Sequence, residues 1–216
     1  KTLENGYDFL ILCNPNNPTG NLLSREETER VIRRAGALDC IVVLDECFLD
    51  FVEKPEEFSM LGDLAAYPHV ILLKAFTKLY AMAGVRLGYG ISSNPAIIEK
   101  LERSVQPWNV SSLAQAAGLA ALAEDTYVRE SLTTLRAERA YLLQALDKLG
   151  CRTYASQANY IFFRGETTLG EKLRAAGFLV RDCSNYAGLG KGYYRVAVRL
   201  HEDNAKLVQA LAHILD

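Results

Sequence analysis

Three short apolar, β-branched runs of this 216-residue chain lead into residues that could together grip a small charged ligand. The first run ends in Asn14-Pro15-Asn16-Asn17-Pro18-Thr19-Gly20, where two Asn-Pro steps and a glycine force a rigid turn. The second, Val42-Val43-Leu44-Asp45, ends in a carboxylate, and the third runs into Lys74-Ala75-Phe76-Thr77-Lys78. Arg86 follows Lys78 by eight residues. If the runs are strands of one parallel sheet, an amide, a carboxylate and an ammonium emerge together at its carboxyl edge, where such sheets bind ligands. Taken singly, the turn reads as an ordinary strand-to-helix loop and Asp45 as a metal ligand or helix cap. Further on, Tyr193-Tyr194-Arg195-Val196-Ala197-Val198-Arg199 alternates as a strand does, so Arg195 and Arg199 share one face with Ala197 between them. Two arginines on one face suit an anion.

The elements that must position these residues are legible in outline. Strands are expected at about 8–13, 40–45, 70–75 and 86–91, with Ser24-Arg25-Glu26-Glu27 as a capping box opening a helix that ends near Gly36. That is a βαβ unit of a parallel sheet. From Asn94 to about Gly150 the pattern is helical, with Ser111 or Ser112 a cap and Leu132, Leu135, Leu142, Leu143, Leu146 and Leu149 at helical spacing, in a helix expected to link two domains. Strands near 151–155, 159–164, 178–181 and 193–198, with helices near 168–176 and 202–215, make the tail a small α+β domain.

Composition narrows the function classes. Half the residues are apolar and 23% are charged, which is globular, and a formal net charge of −2 offers no field to hold a nucleic acid. The longest apolar stretches are too short to cross a bilayer, so the expectation is a soluble protein with no membrane partner. Five cysteines without a CxxC spacing read as reduced thiols, and a cytoplasmic setting is expected.

The ordered set Asn-Pro-Asn-Asn-Pro-Thr-Gly, Asp45, Phe76-Thr77-Lys78 and Arg86 resembles the fold-type I pyridoxal-phosphate (PLP) enzymes, specifically the class I/II aminotransferase superfamily, over nearly the whole chain. The resemblance implies a three-layer α/β/α large domain with a mostly parallel sheet, incomplete at its N-terminus, over residues 1–125, and a small α+β domain over 126–216. It implies PLP as cofactor, with Lys78 as the Schiff-base lysine, Asp45 on the pyridinium nitrogen, Asn17 on the phenolic oxygen, and Thr77 and Arg86 on the phosphate. It assigns Arg195 to a substrate carboxylate, while Arg199 reads equally as a candidate, with Arg181 or Lys191, for a second anionic group and as a solvated or ion-paired surface arginine. Phe48 stands where many relatives have Tyr, and Ala75 where many have Ser, so one donor to the phenolic oxygen and one to the phosphate are missing.

Within the superfamily the chain resembles the threonine-phosphate decarboxylases of cobalamin synthesis through Phe48, Gln106-Pro107-Trp108-Asn109-Val110 and Arg181-Asp182-Cys183-Ser184-Asn185-Tyr186. Next come the histidinol-phosphate aminotransferases. The implied substrate is a small phosphorylated amino acid or amine, and the implied assembly of the full-length protein a homodimer. A PLP-sensing domain of a transcription regulator is a more distant reading. Trp108 reads as core or dimer packing and Cys183 as a buried thiol. The chain opens on Lys1-Thr2-Leu3-Glu4, whereas relatives begin upstream with an arm and a phosphate-cupping loop. The expectation is therefore a fragment that binds PLP weakly by itself.

Overall fold

The computed structural model describes Glu4 and residues 6–215. Its first sheet has the order β1-β2-β3-β4, from β1 (Phe9–Cys13), β2 (Ile41–Asp45), β3 (Val70–Ala75) and β4 (Gly88–Ile91). The first three strands run parallel and β4 is antiparallel to β3. Register sets Cys13 against Asp45 and Asp45 against Leu73, so the ends of the three parallel strands lie side by side. The crossover between β1 and β2 is α1 (Arg25–Gly36), opened by the expected capping box: Ser24 Oγ accepts from Glu27 N–H while the Glu27 carboxylate accepts from Ser24 N–H. Ile32 and Ala35 of α1 pack with Val42, Leu44, Val70 and Leu72 of the sheet and with Met60, Leu64 and Tyr67 from the turns between β2 and β3. A mixed, mostly parallel sheet with α1 packed against it is the α/β architecture expected from the sequence.

Two helices follow, α2 (Pro95–Ser104) and α3 (Ser112–Ala121), with Asn94 and Ser111 as side-chain N-caps. The long helix α4 (Asp125–Lys148) comes next. The second sheet has the order β5-β6-β8-β7, antiparallel throughout, from β5 (Arg152–Thr153), β6 (Tyr160–Arg164), β7 (Arg181–Asp182) and β8 (Tyr193–Ala197). Helices α5 (Leu169–Ala175) and α6 (His201–Leu215) complete the chain. Ile161, Phe163, Tyr194 and Val196 alternate onto one face of this sheet and pack with Leu142 and Leu146 of α4, Leu173 of α5, and Leu207 and Leu211 of α6.

The chain folds as two compact units. The first is Lys1–Pro15 with Leu22–Val128, and the second is Asn16–Asn21 with Arg129–Asp216. The Asn-Pro turn is thus held by the second unit although β1 precedes it. The Gln157 N–H donates to Gly20 O at 3.0 Å, and the Tyr160 hydroxyl donates to Asn16 O at 2.8 Å. Gly20 has φ 72°, and a Cβ there would lie 2.1 Å from Ser156 Oγ, so no side chain fits.

Several edges differ from expectation for local reasons. β4 begins at Gly88 rather than near 86 because Arg86 is left-handed, φ 59°, and cannot pair as a strand. The expected strand over 151–155 shrinks to Arg152–Thr153, and that over 178–181 becomes Arg181–Asp182. β8 stops at Ala197, before Arg199, whose backbone N–H is taken by Asn204 Oδ1 at 3.1 Å. Trp108 is 94% exposed, so a place in this chain's core is overturned, whereas Cys183 is fully buried.

Candidate active site

In the first unit the candidate chemistry lies at the ends of β2 and β3. Asp45 closes β2 with its carboxylate fixed on both oxygens: Oδ1 accepts the Cys47 N–H at 2.9 Å, and Oδ2 lies 3.9 Å from Cys13 Sγ. The thiols respond. Burial, then the charge of Asp45 and a hydrogen bond to it, push the Cys13 thiol up. Burial, followed by the hydrogen bond to Asp45 and its charge, pushes Cys47 to about 12. Both thiols therefore stay protonated at neutral pH and can only donate toward the carboxylate.

Lys78 is exposed just past β3, with its Nζ 5.8 Å from the centroid of the Phe48 ring. Thr77 beside it is half-buried. The segment carrying both is braced by Phe76, whose N–H donates to Leu87 O at 3.2 Å and whose ring stacks on Tyr80 at 5.3 Å. Arg86, exposed, donates to Ala83 O at 3.0 Å, and its left-handed backbone turns the chain back into β4. Beneath these residues lies a buried charge cluster that the spacing of the sequence did not reveal. Lys74 on β3 bridges Asp50 at 2.8 Å and Glu46 at 3.5 Å, and Glu46 also accepts from Ser59 Oγ and Met60 N–H. Burial pulls the Lys74 ammonium down, but Asp50 and Glu46 outweigh it and hold it above its ordinary value.

In the second unit Arg195 on β8 donates to Asn17 Oδ1 at 2.5 Å, with its guanidinium 5.0 Å from the Tyr160 ring centroid. A guanidinium only donates, so this bond fixes the amide: Oδ1 faces Arg195 and the NH2 group is left to donate elsewhere. Arg181 on β7 stands directly opposite Arg195, which sets the two side chains on one sheet face. Arg199 is placed differently from the expectation of a shared strand face. It lies past β8, exposed, and its Nε donates to Asp203 Oδ2 at 2.7 Å in a surface ion pair. The structure thus gathers Asp45, Thr77, Lys78 and Arg86 on the first unit, and Asn17 with Arg195 and Arg181 on the second.

The groups of the first unit fit a phosphorylated pyridine aldehyde by their chemistry: an amine for the carbonyl, a carboxylate for a ring N–H, and a hydroxyl and guanidinium for a phosphate. Among the described residues, no cluster of three or more His, Cys, Asp or Glu side chains could hold a metal ion. Among them, too, no helix is long and apolar enough to cross a membrane.

The fold and these strand-end residues define the chain as an α/β protein of the PLP-transferase type. Residues 1–214 match the model of the family described as aminotransferase class I and II, and the chain belongs to that family. It is 39% identical over 219 residues to the threonine-phosphate decarboxylase of Salmonella typhimurium, covering 100% of this chain and 60% of that protein. It is 33% identical over 214 residues to the histidinol-phosphate aminotransferase of Methanosphaera stadtmanae, covering 96% and 56%. The crystal structure of the histidinol-phosphate aminotransferase from Clostridium acetobutylicum superposes with a TM-score of 0.91 at 31% identity, covering 96% of this chain and 64% of that one. The chain therefore spans about 60% of the length of the relatives it matches.

Proposed function

We propose that the full-length protein is a PLP-dependent enzyme acting on a small phosphorylated amino acid, with decarboxylation of L-threonine O-3-phosphate, a step of cobalamin biosynthesis, as its reaction. The observation that carries this reading is Asp45 at the end of β2 and Lys78 three residues past the end of the adjacent parallel strand β3; within the second unit the Asn17 amide is oriented by Arg195. When bound, PLP supplies an electron sink that accepts the charge left on the substrate's α-carbon.

Each residue then has a definite task. The Lys78 amine would hold the cofactor at its carbonyl carbon, and its Nζ, when free, would accept or return a proton at the substrate's α-carbon. Asp45 keeps the ring nitrogen protonated, aided by the Cys47 amide and two thiols that only donate. Asn17 donates its NH2 to the phenolic oxygen, and Thr77 and Arg86 hold the phosphate. Phe48 lies near Lys78 without a hydroxyl, so it shapes the pocket and excludes water.

Arg195 is assigned to the substrate carboxylate. For a second anion Arg181, directly opposite Arg195, is better placed than Arg199, which Asp203 already neutralises. A carboxylate and a phosphate on one substrate match two guanidiniums, and L-threonine O-3-phosphate carries both whereas histidinol phosphate lacks the carboxylate. Aminotransfer from histidinol phosphate is the second reading, favoured by the fold match at a TM-score of 0.91.

The natural assembly is proposed to be a cytoplasmic homodimer. α3 supports this, since it buries Ala114, Gly118 and Ala121 while presenting Leu113 and Leu119 to solvent at 83% and 73% exposure. Assay of CO2 release from L-threonine O-3-phosphate against amino transfer from histidinol phosphate by the full-length protein tests the reaction. CO2 release, with a raised KM in Arg181→Gln, is expected. Amino transfer without CO2 release would overturn the decarboxylase reading.

A further inference from the structure

The sheet face of the second unit that turns away from its core carries an unusual set of side chains. Ile161, Phe163, Tyr194 and Val196 point into the core, so the alternate positions Tyr160, Phe162, Arg164, Tyr193 and Arg195 point the other way. Across β5–β6 Arg152 is the direct partner of Arg164, and across β6–β8 Arg164 is the direct partner of Tyr193. Directly opposed residues share a face, so two guanidiniums stand side by side. Like charges in that position repel, and a carboxylate between them would relieve it. Among the described residues neither arginine pairs with a carboxylate: each instead lies over a tyrosine ring, Arg152 at 5.3 Å from the Tyr154 centroid and Arg164 at 5.4 Å from that of Tyr193. Glu166, the nearby acid, is taken by Lys172 at 2.7 Å.

The two tyrosines bring their rings to the same pair of guanidiniums. The Tyr154 and Tyr193 ring centroids are 6.4 Å apart, and burial first of all holds the Tyr154 hydroxyl above its ordinary pKa, so it remains a donor. Arg152 and Arg164 also border an open cavity of about 450 Å³ with Gly150, Cys151, Gly165 and Glu166, whose carboxylate is paired with Lys172. A guanidinium held over an aromatic ring still offers its N–H donors to a ligand, which suits a tetrahedral oxyanion.

We propose that Arg152, Arg164, Tyr154 and Tyr193 form a second anion site, separate from the Arg181–Arg195 pair, that binds a phosphate-type oxyanion, free or as the terminal group of a small phosphorylated molecule. The site does not depend on Lys78 or on PLP, so it stands or falls separately from the catalytic reading.

The test is calorimetric titration of the full-length protein with inorganic phosphate and, separately, with glycerol 3-phosphate, at low chloride. The titrations are made in an Arg181→Gln/Arg195→Gln background that silences the other arginine pair. Saturable binding is expected there, weakened about tenfold or more by adding Arg152→Gln and Arg164→Gln, which removes two charge-assisted donors. Tighter binding of the ester identifies a phosphorylated molecule as ligand, and equal or tighter binding of the free ion identifies phosphate itself. Should the combined variant fail to fold, Arg164→Gln alone, which leaves the Arg152–Tyr154 stack in place, carries the same test. Absence of saturable binding in the background protein, or binding indifferent to Arg152 and Arg164, would overturn the proposal.

Discussion

At the residue scale, Asp45 is met by donors on both oxygens, the Cys47 N–H at 2.9 Å and the Cys13 thiol at 3.9 Å. The thiol of Cys47 illustrates the consequence. Its folded-state pKa of about 12 lies above the ordinary thiol value of about 8.5, so the neutral thiol is the form the fold favours. The linked stability is fully present below the ordinary value and is lost as pH rises from there toward 12. Replacing Cys47 with Ala should flatten the alkaline limb of a stability-versus-pH curve measured by urea unfolding, and a limb of unchanged slope would refute the assignment. The residues proposed to carry the chemistry are picked out in the sequence by motif order for Asn17, Asp45 and Lys78, and by strand alternation and resemblance for Arg195. The donors around them were not, because Cys13 reaches Asp45 only through the β1–β2 register, 32 residues away in sequence. Arg199 misled for a related reason: alternation continues past Ala197 in the sequence, but Asn204 and Asp203 on α6 end the strand and take the side chain.

At the scale of elements, the strands and helices followed from period and caps, and their ends did not. The Ser24–Glu27 box could be read because its partners are three residues apart, whereas the charge cluster Glu46–Asp50–Lys74 could not, because Lys74 sits 24 residues beyond Asp50. That cluster ties the segment after β2 to the strand that leads to Lys78. Lys74→Ala would leave Glu46, 1% exposed, without its cation, and should destabilise the protein by about 3–5 kcal/mol in denaturant titration. A cost near zero would mean the cluster is solvated and positions nothing. α3 offers a second check. A Cβ on Gly118 would come within 2.5 Å of Leu87, so this glycine lets the helix approach the segment between Phe76 and Leu87 that holds Lys78. Gly118→Val should cost about 1–3 kcal/mol by overpacking and weaken PLP affinity with it. Unchanged affinity would separate α3 from the site.

At the scale of the molecule, the chain is two compact units, and the candidate site residues are distributed over both. The first sheet was readable because its strands are continuous apolar runs, as buried parallel strands are. The allocation of Asn16–Asn21 to the second unit had no local signal: it follows from bonds made by Gln157, Tyr160 and Arg195, all more than a hundred residues away. The exposed leucines of α3 lead to a prediction for the whole protein: sedimentation should report a dimer, and Leu113→Asp with Leu119→Asp should yield monomers of intact secondary structure. A wild-type monomer would contradict the proposed assembly. The central claim rests on one amine. Full-length protein loaded with PLP, reduced with borohydride and digested, should carry the cofactor on the peptide containing Lys78 and on no other, and Lys78→Ala should carry none. Label on another lysine, or no label on the wild-type protein, would contradict the account.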